Sequence, residues 1–383
     1  MSEKRKDNNG RVLKAGESQR ANGTYMFRYA TPQKERKCLY AKTLEELRIK
    51  EDAVTKNRLD RISDEGDKIT VYELLCQYLD LKRNLKQTTL HNYNSIKKKV
   101  KNTSIGSLKV SKVKPYDVKR WCVELSDLGF KYSTISVWIK TLRSAFNFGI
   151  ENDLIRKNPF AFVLSTVIVD DTSERVALTK KQKEQYLKCL DKYGDPIYSR
   201  EIKILLATGL RIGELYGLTY SDIDFENLCI HVTKQLQHDS HGVYRVTTPK
   251  TSSSNRTIPI TADTAELFRD VIVLRKKVKV EPMVDGYAGF LFVTCYGNPQ
   301  SSVNLEGYMK KFHEKVRAIC GSDFPKITPH NLRHTFCTEA MNAGMDLKTL
   351  QYLMGHSSAS MTLDTYSHAN YDSVKETFMR LLG

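Results

Sequence analysis

Between residues 330 and 366 the chain carries an ordered string of reactive side chains. It runs His330-Asn331-Leu332-Arg333-His334, then Gly355-His356, then Tyr366. A matching arginine lies upstream in Ala207-Thr208-Gly209-Leu210-Arg211-Ile212-Gly213-Glu214-Leu215. Breaking a phosphodiester requires a nucleophile, positive charge on the non-bridging oxygens and a proton for the leaving oxygen. Arginine suits the second task, because its planar fork binds phosphate bidentately and stays charged. Arg211 and Arg333 are the two candidates, and the histidines and Tyr366 are of the types that move protons or attack.

The surrounding pattern shows how these groups are aimed. Arg211 lies in an apolar helical stretch between Leu205-Leu206 and Leu215, so its charge needs a partner. An incoming phosphate is one reading and an ion pair with Glu214 is the other. Thr328 caps an expected helix with Pro329 in its first position. His330 and Arg333 then share a face at i and i+3, where the helix terminus adds partial positive charge. His334 reads as structural. His330 and His334 have zinc-compatible helical spacing, but the adjoining His-Glu of hydrolytic zinc helices is missing. His238 and His241 fall in a polar turn and read as solvated. A helix from Asp346 to Met354, ended by Gly355 in a left-handed cap, fixes the turn from which His356 emerges. Tyr366 is one of 20 tyrosines, and only its place after the other motifs distinguishes it.

Three units hold this string in place: 1–66, 67–165 and 175–383. The first reads as strands at Tyr25-Met26-Phe27-Arg28-Tyr29 and Cys38-Leu39-Tyr40-Ala41, followed by a helix from Thr43 to Leu59 with a Thr43/Glu46 capping box. Tyr25, Phe27 and Tyr29 should face that helix and Arg28 the other side. Ile62–Lys68 reads as a linker. The second unit is a four- or five-helix bundle. Its longest stripe is Ile135, Trp138, Ile139, Leu142, Phe146 and Ile150, with Ser133 as cap and Pro159 as stop. After a second linker near 165–175, Thr179 and Gln182 open the third unit with another capping box. Strands at Leu228–Val232, Tyr244–Thr248 and Arg256–Ile260 are expected to form one small sheet, with Lys250 in the turn before the last. The fold class is therefore multidomain and mainly α, with a small N-terminal β-sheet plus helix, a helical bundle and a mixed α+β third domain.

Charge points to the partner. Lys and Arg number 61 against 44 Asp and Glu, a net charge of +17, with a pI near 9.3. The excess recurs locally, with 11 basic against 4 acidic residues over 1–42 and 18 against 8 over 67–165. A polyanion such as DNA is the natural match, with Lys and Arg on its phosphates. Arg20, Arg28 and Tyr40 in the first unit, and Lys97, Lys98, Lys140 and Arg143 in the second, are the expected DNA contacts. No apolar run of about 18 residues predicts a membrane helix. No secretory h-region is visible at the N-terminus. The eight cysteines are scattered without a C-x-x-C pair, so buried, reduced thiols in a cytoplasmic protein are expected.

The motifs A-T-G-L-R-x-x-E-L, H-x-L-R-H, G-H and T-x-x-Y-x-H, in that order, resemble those of the tyrosine recombinase (phage integrase) family. Met354 stands where leucine is commoner, a conservative change. The basic N-terminal unit is similar to the arm-binding domain of conjugative-transposon integrases, and the bundle more loosely resembles the family's core-binding domain. The resemblance implies that Tyr366 attacks the scissile phosphate to give a 3′-phosphotyrosine, with Arg211 and Arg333 on the non-bridging oxygens. It implies that Lys250 protonates the leaving 5′-oxygen, that His330 assists proton transfer and that His356 bonds the phosphate, with no metal, ATP or other cofactor. It further implies excision and insertion of a mobile element through a Holliday junction, by a homotetramer on element ends, core and arm sites. Accessory excision and DNA-bending proteins are implied as further partners. A C-terminal stripe of Val374, Phe378 and Leu381 docks on a neighbouring protomer or on its own domain. The alternatives are a type IB topoisomerase-like enzyme, which the separate basic N-terminal unit disfavours, and a catalytically inactive DNA-binding regulator, which has no need of the full catalytic set.

Overall fold

The computed structural model describes residues 5–30, 36–59, 64–83, 87–172, 177–239, 242–247, 255–275, 279–356 and 358. It divides into two units, Met1–Thr172 and Ser173–Gly383. Both are mostly helical with small antiparallel sheets. Among the described residues, no helix is long and apolar enough to cross a membrane.

The first unit opens with a sheet of β1 (Glu17–Gln19), β2 (Tyr25–Ala30) and β3 (Arg36–Ala41), in that order, followed by helix α1 (Leu44–Leu59). Register pairs Tyr25 with Ala41 and Phe27 with Leu39. Strand alternation therefore gives these four one face, and they cluster with Leu44 and Leu47 of α1. The same register pairs Met26 with Tyr40 and Arg28 with Cys38, so Arg28 and Tyr40 fall on the opposite face. Thr43 caps α1, its Oγ1 accepting from Glu46 N at 3.1 Å.

A separate core belongs to the helices of this unit: α2 (Val71–Asp80), α3 (Gln87–Lys101), the single-turn α4 (Ser104–Ser107), α5 (Pro115–Asp127) and α6 (Tyr132–Glu151). The α6 stripe from Ile135 to Phe146 is buried as its spacing predicts, and Ile150 packs half-buried. Its ends differ from expectation. The helix starts at Tyr132, before Ser133, because the Asp171 carboxylate accepts from Tyr132 N at 2.9 Å and caps it from a distance. It stops at Glu151, well short of Pro159, where Asp153 turns the chain with φ 55°.

The second unit contains α7 (Lys180–Tyr193), α8 (Pro196–Thr208), α9 (Ile212–Gly217), β4 (Ile223–Asp224), β5 (Cys229–Val232), β6 (Gln235–His238), β7 (Tyr244–Thr247) and β8 (Arg256–Pro259). Helices α10 (Ala262–Leu274), α11 (Ser302–Cys320), α12 (Pro329–Asn342) and α13 (Leu347–Met354) follow. Thr179 and Gln182 form the expected capping box. The three-stranded sheet exists, but its order is β4-β5-β8. Tyr244–Thr247 instead pairs with Gln235–His238 in a hairpin of its own. Between β5 and β6 the buried Lys234 turns inward onto Asp222. That ends β5 and lets the chain pair with its own continuation. The core joins α7, α8, α9, both sheets, α10, α11, the start of α12 and Leu353 of α13.

The cysteines are unpaired, as expected, but not uniformly buried: Cys122, Cys189 and Cys337 are, whereas Cys38 and Cys295 are exposed. Cys189 and Cys320 bring their Sγ atoms to 3.7 Å.

Candidate active site

Arg211 follows α8, which ends in a left-handed cap at Gly209 (φ 63°), and it is itself the N-cap of α9. Its Nη1 donates to Glu214 Oε1 at 2.8 Å and its Nη2 to the Gly355 carbonyl at 2.9 Å. The side chain keeps 31% exposure, so the guanidinium is held from behind and still faces solvent. Glu214 is thus a partner of Arg211, and the arginine retains an open side.

Arg333 is buried on α12, behind the expected Thr328 cap and Pro329. Its Nη1 donates to Gly209 O at 2.5 Å, its Nη2 to Met354 O, and Nη2 also lies 3.0 Å from His356 Nε2. A guanidinium has no acceptor, so His356 Nε2 receives that bond and the imidazole is neutral, with its proton on Nδ1. Burial, then the charges of Arg333 and Arg211, push His356 down to about 4. Burial and Arg211 also draw Arg333 down to about 9, still charged at neutral pH.

The two arginines are thus hung on the carbonyls of two left-handed glycine caps, one from each side. Gly355 has φ 59° at the end of α13, and a Cβ there would meet Arg256 Nη1 at 2.9 Å. A Cβ at Gly209 would meet Phe336 at 2.4 Å. Residues far apart in the chain (209–214, 333 and 354–356) are in this way locked together by main-chain acceptors.

Glu214 ties the cluster to β8. It is buried, and its Oε1 and Oε2 receive Arg256 Nη1 at 3.1 Å and Nη2 at 2.8 Å. Burial alone would raise its carboxyl. The Arg256 bonds and the charges of Arg256, Arg211 and Arg333 outweigh that and hold it down at about 2. Arg256 is not among the residues that the sequence pattern singles out, although alternation places it on the same strand face as the buried Ile258. A charge at a core-facing strand position was the available signal.

The remaining candidates fall in different places. His330 is exposed in the first turn of α12, and His334 is half-buried one turn on. Lys250, Tyr366, His241 and the stripe at 374–381 lie outside the described residues. Arg28 and Tyr40 are exposed on the open face of the first sheet, with the Arg20 guanidinium 5.3 Å from the Tyr40 ring. Lys98 and Lys140 are exposed on the bundle. Lys97 pairs with Asp80 at 3.2 Å. Arg143 is half-buried, and its Nε and Nη2 donate to Phe160 O at 2.9 Å and Phe162 O at 2.7 Å. It pins the segment after α6.

Among the described residues, one trio brings metal-ligating types within 4.8 Å: Asp224, Cys229 and His231. Asp224 already accepts from Glu226 N, Asn227 N and Asn227 Nδ2, which is turn bonding. It is separate from the arginine cluster.

Residues 176–373 match the model of the Phage integrase family, and residues 1–60 match that of the DNA binding domain of Tn916 integrase. The transposase from transposon Tn916 of Enterococcus faecalis is 37% identical over 398 aligned positions, spanning 100% of this chain and 97% of that protein. A solved structure of the Tn1549 transposon integrase in complex with transposon right end DNA is 39% identical, with a TM-score of 0.76, covering 82% of this chain and 100% of the other. Another, of the same integrase with a circular intermediate DNA, is 38% identical with a TM-score of 0.75 and covers 82% of this chain and 100% of that one.

Proposed function

Because the chain belongs to the phage integrase family, we propose that Arg211, Arg333 and His356 form the phosphate-binding half of its DNA-cleavage site. The chain is a tyrosine recombinase, an enzyme that cuts and rejoins DNA in site-specific recombination of a conjugative transposon. The observation that carries the site assignment is the interlocked pair of arginines: Arg333 holds the Arg211 segment through Gly209, and both hold the turn before His356, through Met354 and Gly355.

In this reading the Tyr366 oxygen attacks phosphorus, the P–O5′ bond breaks, and Lys250 gives its proton to the departing 5′-oxygen. The bond energy stays in the 3′-phosphotyrosine, so rejoining needs no nucleotide or metal. The guanidiniums neutralise charge on the non-bridging oxygens and favour the phenolate of a tyrosine whose free pKa is about 10. Neutral His356, with its Nε2 occupied by Arg333, bonds the phosphate, and exposed His330 assists proton transfer. Arg28, Tyr40 and Arg20 on the first sheet, with Lys97, Lys98 and Lys140 on the bundle, contact DNA. Units 1–66, 67–165 and 175–383 serve as arm-binding, core-binding and catalytic domains. A homotetramer acts through a Holliday junction in the cytoplasm, with excision and DNA-bending proteins as accessories.

The test is a nicked suicide DNA carrying the element's end. The wild type should trap a covalent adduct mapping to Tyr366, and Tyr366→Phe should form none while binding the DNA equally well. An adduct that persists in that variant moves the nucleophile elsewhere.

A further inference from the structure

Arg256 lies on β8, outside the groups just assigned to the phosphate, yet its side chain has no exposure at all. Its attachments include two that run in different directions. Nη1 and Nη2 fork onto Glu214, and Nε donates to the Leu353 carbonyl at 2.7 Å. Glu214 also holds Arg211 Nη1. Leu353 sits two residues before Gly355, whose carbonyl holds Arg211 Nη2. Arg256 thus reaches, at one remove, both anchored nitrogens of Arg211 and the turn that presents His356. Enclosing a guanidinium so fully is costly, and an apolar side chain would fill the same space at no such cost. Stability alone is therefore a poor reason for it.

We propose that Arg256 is a positioning residue for DNA cleavage: through Glu214 and the Leu353 carbonyl it fixes the Arg211 guanidinium and the His356 turn as one frame around the scissile phosphate. The proposal rests on the assignment of Arg211 and His356 above. By forking onto both Glu214 oxygens, Arg256 stops Arg211 from closing a bidentate pair of its own with that carboxylate. The Arg211 guanidinium keeps one bond to it, through Nη1, beside the bond from the Arg211 main-chain N–H to Oε2, and its Nη2 reaches the Gly355 carbonyl. Lysine cannot copy this, since one ammonium cannot span the carboxylate and the Leu353 carbonyl in the geometry of a planar fork.

The full-length wild type, Arg256→Met, Arg256→Lys and Arg211→Ala are compared in single-turnover cleavage of nicked DNA at saturating protein. Two substrates are used, one with the ordinary scissile phosphate and one with a methylphosphonate there, which lacks the charged non-bridging oxygen. Arg256→Met should slow cleavage of the ordinary substrate about 10²-fold, the scale of loss from a misplaced catalytic group, with DNA affinity little changed. Arg256→Lys should fall between. On the methylphosphonate the deficit should shrink severalfold, because Arg211 has less charge to meet. Equal deficits on both substrates, undiminished cleavage, or loss of fold and DNA binding in both Arg256 variants each overturn the proposal. If Arg211→Ala cleaves like the wild type, the site assignment fails first. If Arg211→Ala is impaired and Arg256→Met is not, only the positioning role fails.

Discussion

A methyl group added at Gly355 would meet the Arg256 guanidinium at 2.9 Å, and the residue's φ of 59° already disfavours any side chain. Gly355→Ala therefore combines a left-handed penalty of about 1–2 kcal/mol with displacement of a buried cation. Gly242 offers the control. Its φ is 82° and a Cβ there meets nothing within 4 Å, so Gly242→Ala should carry the conformational cost alone. Thermal melts of the two variants, read beside suicide-substrate cleavage, should show Gly355→Ala as the less stable and the only one slow to cleave. Equal melting points and equal cleavage would remove the claim that Arg256 packs against that cap. At this scale the sequence is unevenly informative. The Gly355-His356 pair, the Thr328-Pro329 helix start and the position of Arg333 are all readable from local chemistry. The acceptors of the arginines are not, because they are main-chain carbonyls that any residue supplies.

Elements show a similar division. Threonine caps at Thr43, Thr179 and Thr328 mark helix starts through bonds made within four residues, and all three are present, although at Thr43 the returning Glu46 carboxylate accepts from Lys42 N. The start of α6 is hidden because its cap is Asp171, 39 positions away. The partner of β7 is hidden because alternation of side chains identifies a strand without naming its neighbour. Helix α8 contains a feature with a pH consequence. Glu201 is completely buried there, its Oε2 accepting from Tyr216 of α9 at 2.8 Å. Burial, against that bond, pushes its carboxyl from the ordinary 4.5 up to about 8. A raised folded value means that the folded state holds a proton the unfolded state has lost. The resulting stability is complete below 4.5 and disappears as pH rises through 8. The slope for one such group is about 1.4 kcal/mol per pH unit inside that window. Glu201→Gln should flatten the melting temperature between pH 6 and 9 relative to the wild type. Identical pH profiles would show that the carboxyl is already ionised at neutrality.

For the whole molecule, charge governs how DNA is held. A net charge of +17, with exposed Arg28, Lys98 and Lys140, predicts binding that falls steeply with salt. If six or more phosphates are contacted, affinity should drop about 10³-fold or more between 50 and 200 mM salt. A flat plot of log affinity against log salt would take phosphate neutralisation out of the account. The excess of basic residues is legible from composition alone, whereas the residues that spend their charge internally are not. Arg143, bonded to two carbonyls, looks in sequence like Lys98 and Lys140.

The cluster that unites Gly209, Arg211, Arg256, Arg333 and Gly355 also sets an order of events during synthesis. A ribosome delivers the chain N-terminal end first, and domains generally fold as they emerge. The first unit, Met1–Thr172, emerges while α12 and α13 are still untranslated. Arg211 then lacks the Gly355 carbonyl, and Arg333 does not yet exist to hold Gly209. On the proposed site assignment, a nascent or prematurely terminated chain that binds DNA should be unable to nick it. With Tyr366 as the proposed nucleophile, a break must wait until the ribosome has passed residue 366.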